Sequence, residues 1–314
     1  MNRAEMTDIT ESALRKAGFE VSKRCCSRPS CFDMVARRKF QLAFVKTHEN
    51  IGNVSVRDAL ELKMLSKHLS AVPLLIGEKT HHKPMEDDTI YSRYGIYAIT
   101  TMTLEDIILH GRNPLVDATP GGYYVRLDGE KIRKKRQSLE LSVGKLAEMT
   151  GISRRTLYGY ERGKVKASIS AAYNLEYALG VPLVQEIDVF QPPLEQDTGF
   201  LSKAKLLLST HHCLHVVERK LSRLNVFVAH VKRAPFDFIA KSRKEDVNIV
   251  GGVASRKEPN LEKRVEEIIS VSKVIDAQPV LITEKENAKN DNIKCIDRKE
   301  LEKIDNLRQL RELL

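Results

Sequence analysis

The chain has 314 residues, 42% hydrophobic and 30% charged, with 52 basic against 42 acidic side chains and a net charge of +10. At about 150 residues per domain this is a two- or three-domain chain with room for sizeable cores, and the composition excludes a disordered or low-complexity protein. Tryptophan is absent and aromatics are 6%, which argues against an aromatic-lined single-strand platform, while the basic balance favours an anionic partner, nucleic acid being the commonest. The five cysteines, Cys25, Cys26, Cys31, Cys213 and Cys295, do not form a disulfide framework and fit a reducing cytosol. The opening MNRAEMTDITESALRK has no apolar signal core. The longest apolar run, AVPLLI at 71–76, falls far short of the roughly 20 residues of a membrane helix. The expectation is a soluble cytoplasmic protein with no membrane partner.

In chain order, a helix is expected from near Ile9 to Ala17, stopped by Gly18. Strands follow at Cys31 to Arg37 and Gln41 to Thr47, then a helix from Val56 to about Leu69, a buried strand Val72 to Ile76 and a strand at Tyr97 to Ile99. Thr103 and Asp106 read as a capping-box start for a helix to His110. Breakers at Asn113-Pro114, at 119–122 and at Gln191-Pro192-Pro193 bracket a middle segment. From Arg126 to Lys166 that segment carries twelve basic and five acidic residues, seven of the ten net charges. Its first helix places Ile132 and Leu139 inward and Lys131, Arg133, Lys134, Lys135 and Arg136 on the other face. Ser142 caps a second helix carrying Val143, Leu146, Ala147 and Met149, which stops at Gly151. Ser153 caps a third, Arg154 to about Glu161, closed by Gly163; a fourth runs from about Ser170 to Leu179. Beyond it come strands at Val226 to Val231, Phe236 to Ala240 and Val247 to Val250, a helix behind Asn260 and a strand Val280 to Thr283. A closing helix is then expected behind Asp297 and Glu300.

The outer segments read as copies of one another. A shift of 206 positions pairs nine identical residues between Glu61–Lys79 and Glu267–Lys285, including Pro73 with Pro279 and Glu61 with Glu267. Upstream, FDMVA at 32–36 pairs with FDFIA at 236–240. A domain-sized unit occurring twice implies duplication of a compact fold rather than a solenoid. The expected fold class is α/β plus all-α: two duplicated small α/β domains, 1–119 and 197–314, flanking a four- to five-helix bundle at 123–190.

The stretch SVGKLAEMTGISRRTLYGYERGK at 142–164 resembles the Xre/Cro class of helix-turn-helix DNA-binding domains. The likeness rests on Leu146-Ala147, Gly151, Ile152, Ser153, Leu157, Tyr160-Glu161 and Gly163; it also places Val143 among the DNA-binding positions, at the second position of the second helix, where the class often has glutamine. The resemblance implies a recognition helix starting at Ser153 that reads the major groove. Independently of the family, Arg154 and Arg155 at that helix's first turn present paired donors of the kind guanine accepts. Tyr158 lies one turn on, Gly159 removes a side chain that elsewhere reads a base, Thr156, Lys145, Lys164 and Lys166 suit phosphates, and Arg162 is a further DNA-binding candidate.

The first copy's Phe-Asp, apolar strand and Lys46 resemble the restriction-endonuclease-like fold with its PD-(D/E)xK site, whose chemistry needs two carboxylates for Mg²⁺ and a lysine. Here Asp33 and Lys46 are present but the second acid falls at Phe44. In the second copy Asp237 remains, with Ile249 at the acid position and Gly251 at the lysine position. Glu49 or Glu61 would have to supply the missing acid, and Glu61's counterpart Glu267 favours a structural role. Cys25-Cys26-Cys31 and His211-His212-Cys213-His215 are the two clusters that suggest metal, but neither has paired CxxC spacing. FDMVARR, ELKMLSKHLSAVPLLIGEK and RYGIYAITTMTLEDI resemble a family of archaeal HTH-type transcriptional regulators. The resulting expectation is a non-enzymatic, sequence-specific regulator without metal or cofactor, a homodimer on double-stranded DNA, with the outer domains open to an effector. The alternative is a Mg²⁺-dependent nuclease or junction-binding protein using Asp33 and Lys46.

Overall fold

The computed structural model describes residues 1–81, 83–191, 219–223, 226–242, 248–254, 258, 260–283, 292–297, 300 and 309. The first unit opens with α1 (Arg3–Lys16), then β1 (Glu20–Val21), β2 (Met34–Arg38), β3 (Gln41–Thr47), α2 (Val56–Leu69) and β4 (Val72–Ile76). The ribbon β5 (Lys79–Thr80) and β6 (Lys83–Pro84), β7 (Thr89–Arg93), β8 (Ile96–Ile99) and α3 (Thr101–His110) complete it. A hairpin of β9 (Val116–Thr119) and β10 (Gly122–Leu127) leads into α4 (Gly129–Ser138), α5 (Val143–Thr150) and α6 (Arg154–Glu161). Next come β11 (Ala167–Ser168), α7 (Ile169–Leu179) and β12 (Val184–Gln185). The last unit holds β13 (Val226–His230), β14 (Phe238–Ser242), β15 (Asn248–Val253), α8 (Leu261–Ile275), β16 (Gln278–Thr283) and β17 (Lys294–Asp297).

The local signals explain most of these boundaries. α2 begins where the Ser55 hydroxyl accepts from the Asp58 N–H, and it ends at Ser70 in the left-handed region, φ 53°. Its Ala59, Leu62, Leu65 and Leu69 form one buried stripe. α1 starts six residues earlier than the apolar pattern suggests, because Asn2 and Glu5 make a reciprocal capping box. α3 starts behind Thr100, not Thr103: the Thr103 N–H donates to the Thr100 hydroxyl at 3.1 Å. β7 and β8 were not anticipated as a hairpin, although Tyr94 and Gly95, both at positive φ, form the two-residue turn between Arg93 and Ile96. Asp297 is the last residue of strand β17, and most of the closing helix expected behind it lies outside the described residues.

In the first sheet β1, β2 and β3 pair antiparallel and β3, β4 and β8 pair parallel. In the second, β13, β14 and β15 pair antiparallel and β15, β16 and β17 pair parallel, the same order and sense throughout. Register shifts one sequence expectation. Asp33 N–H donates to Val45 O and Asp237 N–H to Gly251 O, each at 2.8 Å. Phe44 is thus matched by Val250 and Lys46 by Gly252, not by Ile249 and Gly251. A one-residue slip in a strand reverses the face each side chain occupies, so only the ladder could decide this.

The two units share one hydrophobic core. Phe32, Phe44, Leu62 and Leu65 of the first and Phe236, Ile239, Val265 and Ile268 of the second belong to a single buried cluster, with the Phe32 and Phe236 ring centroids 6.1 Å apart. The contacts across it are reciprocal. The Glu61 carboxylate accepts from the backbone N–H groups of Lys232 and Arg233 at 3.0 and 2.8 Å. Glu267 accepts from those of Cys26 and Ser27 at the same two distances. This pairing gives the glutamate of each unit the same structural role. Burial raises the Glu61 pKa above the usual carboxylate value. The opposite face of the first sheet is covered by α1 and α3, and Ile187, Val189 and Phe190 return from the helical region to pack there.

Candidate nucleic-acid interface

The helical domain is built on local caps and one buried ion pair. α4 starts behind Asp128, whose carboxylate accepts from the Lys131 N–H at 2.9 Å. Ser142 and Ser153 cap α5 and α6 in the same way, each at 3.0 Å. Gly151, φ 71°, makes the turn between them at no Cβ cost. Ile132, Leu146, Leu157, Tyr160 and Leu175 fill the core. Arg136 is not on the basic face: its buried guanidinium bonds the Glu161 carboxylate at 2.6 and 3.3 Å and Leu141 O at 2.8 Å. That carboxylate raises the Arg136 pKa further. Leu139 and Met149, read as core, are exposed, because Leu139 is the C-cap of α4 and Met149 sits on the outer face of α5.

The expected DNA-facing residues divide into two groups. Arg154, Arg155, Tyr158 and Arg162 all lie on the solvent side of α6, opposite Leu157 and Tyr160. The Arg162 guanidinium sits over the Tyr158 ring, 5.9 Å from its centroid. Arg155 and Lys164 make no ion pair among the described residues and point into solvent. Arg154 instead folds over α5: a Cβ at Gly144 would lie 3.0 Å from its Nε and Nη2. Lys145 pairs with Glu148 at 3.2 Å on the surface, a contact that exchanges readily. The Thr156 hydroxyl is hydrogen-bonded to that of Ser153 at 2.7 Å.

Three expectations are corrected here. The Lys166 ammonium is bound to the buried Asp117 carboxylate, because β11 brings it beside β9, so it is not a free phosphate ligand. Gly159 serves packing: a Cβ there would sit 2.9 Å from Val165 Cγ2, so the missing side chain lets the segment after α6 fold against the helix. Val143 is partly buried against the domain core, its apolar side chain taken up by packing.

β9 and β10 join this domain to the first α/β unit. β9 pairs with β7 and β10 with β11 and β12, so one sheet runs from β1 to β11. Arg126 Nη2 donates to the Tyr97 hydroxyl at 2.8 Å across the junction. The helical domain therefore sits in a fixed orientation on its neighbour. Sequence reasoning missed Asp117 and Glu161 as partners; the only signal was an isolated acid on an otherwise apolar face.

The nuclease-like position is occupied by internal cations. Asp33 Oδ1 accepts from Arg3 Nη2 at 2.7 Å and Lys46 Nζ at 3.2 Å, and Oδ2 from the Thr47 N–H and hydroxyl at 2.7 and 2.8 Å. Lys46 also donates to Ser30 O at 2.7 Å. Phe44, fully buried, stands where a second acid would be. With every lone-pair direction of Asp33 taken and no second carboxylate, these residues do not fit a Mg²⁺ ion. Neither Glu49 nor Glu61 reaches the site: Glu49 pairs with Lys79 and Glu61 crosses to the other unit.

In the second unit the same carboxylate, Asp237, is held by Arg28 at 2.8 Å, Arg264 at 2.5 Å and the Val253 N–H at 2.6 Å. Arg264, only 1% exposed, enters the space left open by Gly252. Its other bonds go to Pro235 O, Val253 O and Glu258. The buried cation thus arrives from a strand in the first unit, as Lys46, and from a helix in the second, as Arg264. Cys25 and Cys31 are buried, which pushes both thiols well above their usual pKa, while Cys26 is exposed. Among the described residues no three His, Cys, Asp or Glu side chains converge as a metal-ligand set. The histidine cluster at 211–215 lies outside the described residues. No described helix is long and apolar enough to cross a membrane.

Residues 3–114 match the PD-(D/E)XK superfamily domain, and residues 132–185 match the helix-turn-helix family. Over 318 residues, all of this chain and 98% of the relative, it is 34% identical to a Pyrococcus furiosus protein named "Putative HTH-type transcriptional regulatory protein". The chain belongs to this family. Proteins of the same name from Pyrococcus horikoshii (35%, 100% of this chain and 98% of the relative) and Archaeoglobus fulgidus (35%, 90% and 87%) are further members. Among solved structures, a SinR protein/SinI protein complex aligns with 31% of this chain and 82% of that chain at 19% identity and a TM-score of 0.17. In this HTH-type family member the nuclease-like domain and the helix-turn-helix are parts of one continuous sheet.

Proposed function

We propose that the chain is a sequence-specific, DNA-binding transcriptional regulator that reads the major groove with α6. The observation that carries this reading is the outward face of that helix, where Arg155, Tyr158 and Arg162 project from a helix whose other face is locked by Leu157, Tyr160 and the Arg136–Glu161 pair. The names of its relatives support the same role. Arg155 is the base reader, able to offer two donors to guanine. Arg154, lying over the first turn of α5, and Lys164 engage phosphates on either side. The protein acts as a homodimer on a two-fold site of double-stranded DNA. Its α/β units, about 1–119 and 197–314 around a central domain at 123–190, are a duplicated, catalytically silent pair that holds that domain in place and offers a surface for an effector.

Selection of bound fragments from host genomic DNA tests this reading. Arg155→Ala is expected to lose about 1–3 kcal/mol of discrimination at one base pair while retaining affinity for other sequences. Lys164→Ala should weaken every DNA about equally and lower the salt slope by about one phosphate contact. Equal loss on all sequences for the Arg155 variant rejects the base-reading assignment.

The PD-(D/E)XK match supports a second reading, a Mg²⁺-dependent nuclease. The saturated Asp33 carboxylate and the buried Phe44 speak against it. The expected result is that supercoiled, linear and branched DNA all stay intact with Mg²⁺ or Mn²⁺. Cleavage that disappears in Asp33→Asn would establish the enzyme instead.

A further inference from the structure

Along α7, Ile169, Tyr173 and Tyr177 follow one another at four-residue spacing and so form one line on the helix surface. They are 51%, 67% and 82% exposed, while Ala172, Leu175 and Leu179 on the other side are buried. The two tyrosine rings stack with centroids 6.4 Å apart and planes 18° from parallel. Single exposed apolar residues are ordinary; a row of three that includes a stacked aromatic pair marks an interaction surface.

The charge around the row identifies its occupant. The eleven residues of α7 contain no Lys or Arg, and the one acid, Glu176, spends its carboxylate on the Leu183 and Val184 N–H groups at 2.6 and 3.1 Å. DNA or an anionic membrane would need basic residues on this face. An acidic protein would find its complement on the Arg126–Lys166 segment instead. Two copies of a chain with net charge +10 repel, and they approach best through a neutral face that complements itself. The other self-complementary face, between α2 and α8, is already consumed within the chain by the pairing of the two α/β units.

We propose that the Ile169–Tyr173–Tyr177 row is the homodimer contact, with α7 of one chain crossing α7 of a second across a two-fold axis. Four tyrosines and two isoleucines bury on the order of 1,000 Å² in total, at the low end of specific interfaces. The free dimer is therefore weak, and two-fold DNA strengthens it by holding both chains at once. This rests on the proposed DNA reading only for that last step, so the test is made without DNA.

Sedimentation equilibrium of the full chain from about 1 to about 100 µM, the range suited to an interface this small, should show the mass rising toward twice that of the chain. Tyr173→Arg/Tyr177→Arg should stay at the single-chain mass throughout with an unchanged melting temperature, and Tyr177→Phe should associate like the wild type. A wild type that is monomeric across the range overturns the proposal, as does a double variant that dimerises normally. A double variant that melts lower while the wild type is monomeric overturns it too, because the row is then covered by its own chain. DNA binding that fails while the mass still doubles would count against the regulator reading alone.

Discussion

Arg264→Met is expected to destabilise the paired α/β units by about 3–5 kcal/mol, the range for removing one partner of a buried ion pair. Methionine roughly conserves length and fills the space beside Gly252, so lost packing is a minor part of the effect. The main loss is polar. Asp237 keeps only Arg28 and the Val253 N–H, Glu258 loses its 2.6 Å partner, and the carbonyls of Pro235 and Val253 lose their donor. Arg264→Lys keeps the charge but not the planar fork that serves four acceptors, and should recover only part of the loss. Urea denaturation followed by circular dichroism measures both. Because Phe32, Phe44, Phe236 and Ile268 lie in one core, the two units should unfold in a single transition. A loss below about 1 kcal/mol, or separate transitions for the units, would contradict the buried-cation account.

Gly129→Ala is expected to damage DNA binding without touching DNA. At an ordinary first helical position, Gly to Ala stabilises by about 0.4–1 kcal/mol. At Gly129 an added Cβ would press into the Tyr160 carbonyl oxygen and lie 2.6 Å from that of Glu161. Both are main-chain atoms at the end of α6 and cannot swing aside. The clash should cost about 1–3 kcal/mol and displace α6 relative to α4, straining the Arg136–Glu161 pair. A tenfold or greater loss of operator affinity is therefore expected, together with a lower melting temperature. Arg155→Ala, which is solvent-facing, should lose specificity at an unchanged melting temperature. A stabilised Gly129→Ala variant would show that the α4–α6 contact is looser than described.

The two variants also mark how far residue patterns carry. Ser142, Gly151 and Ser153 were readable as cap, turn and cap, since each contact spans three residues or fewer and depends on side-chain chemistry at known offsets. The strands Gln41–Thr47 and Val72–Ile76 and the helix Val56–Leu69 were equally legible, being short apolar runs or one periodic stripe between clear breakers. Arg136 was misread because the basic run Arg133–Arg136 on α4 looks like one solvated face. Its burial follows from Glu161, twenty-five residues on. Lys166 was misread in the same way, its partner Asp117 lying on a hairpin read as a break.

The sequence by itself determined that a helix-turn-helix follows a PD-(D/E)XK-like α/β domain and that the nuclease-like motif lacks its second acid, because these follow from spacing and residue identity alone. Only the tertiary structure decided what the leftover charges do. Asp33 and Asp237 are neutralised by Arg3 and Lys46 in one unit and by Arg28 and Arg264 in the other. Glu61 and Glu267 bridge the units in opposite directions. A carboxylate kept in a core must find a cation or N–H donors within hydrogen-bonding distance. Here those groups stand from 13 to 241 residues away along the chain, where no local pattern points to them.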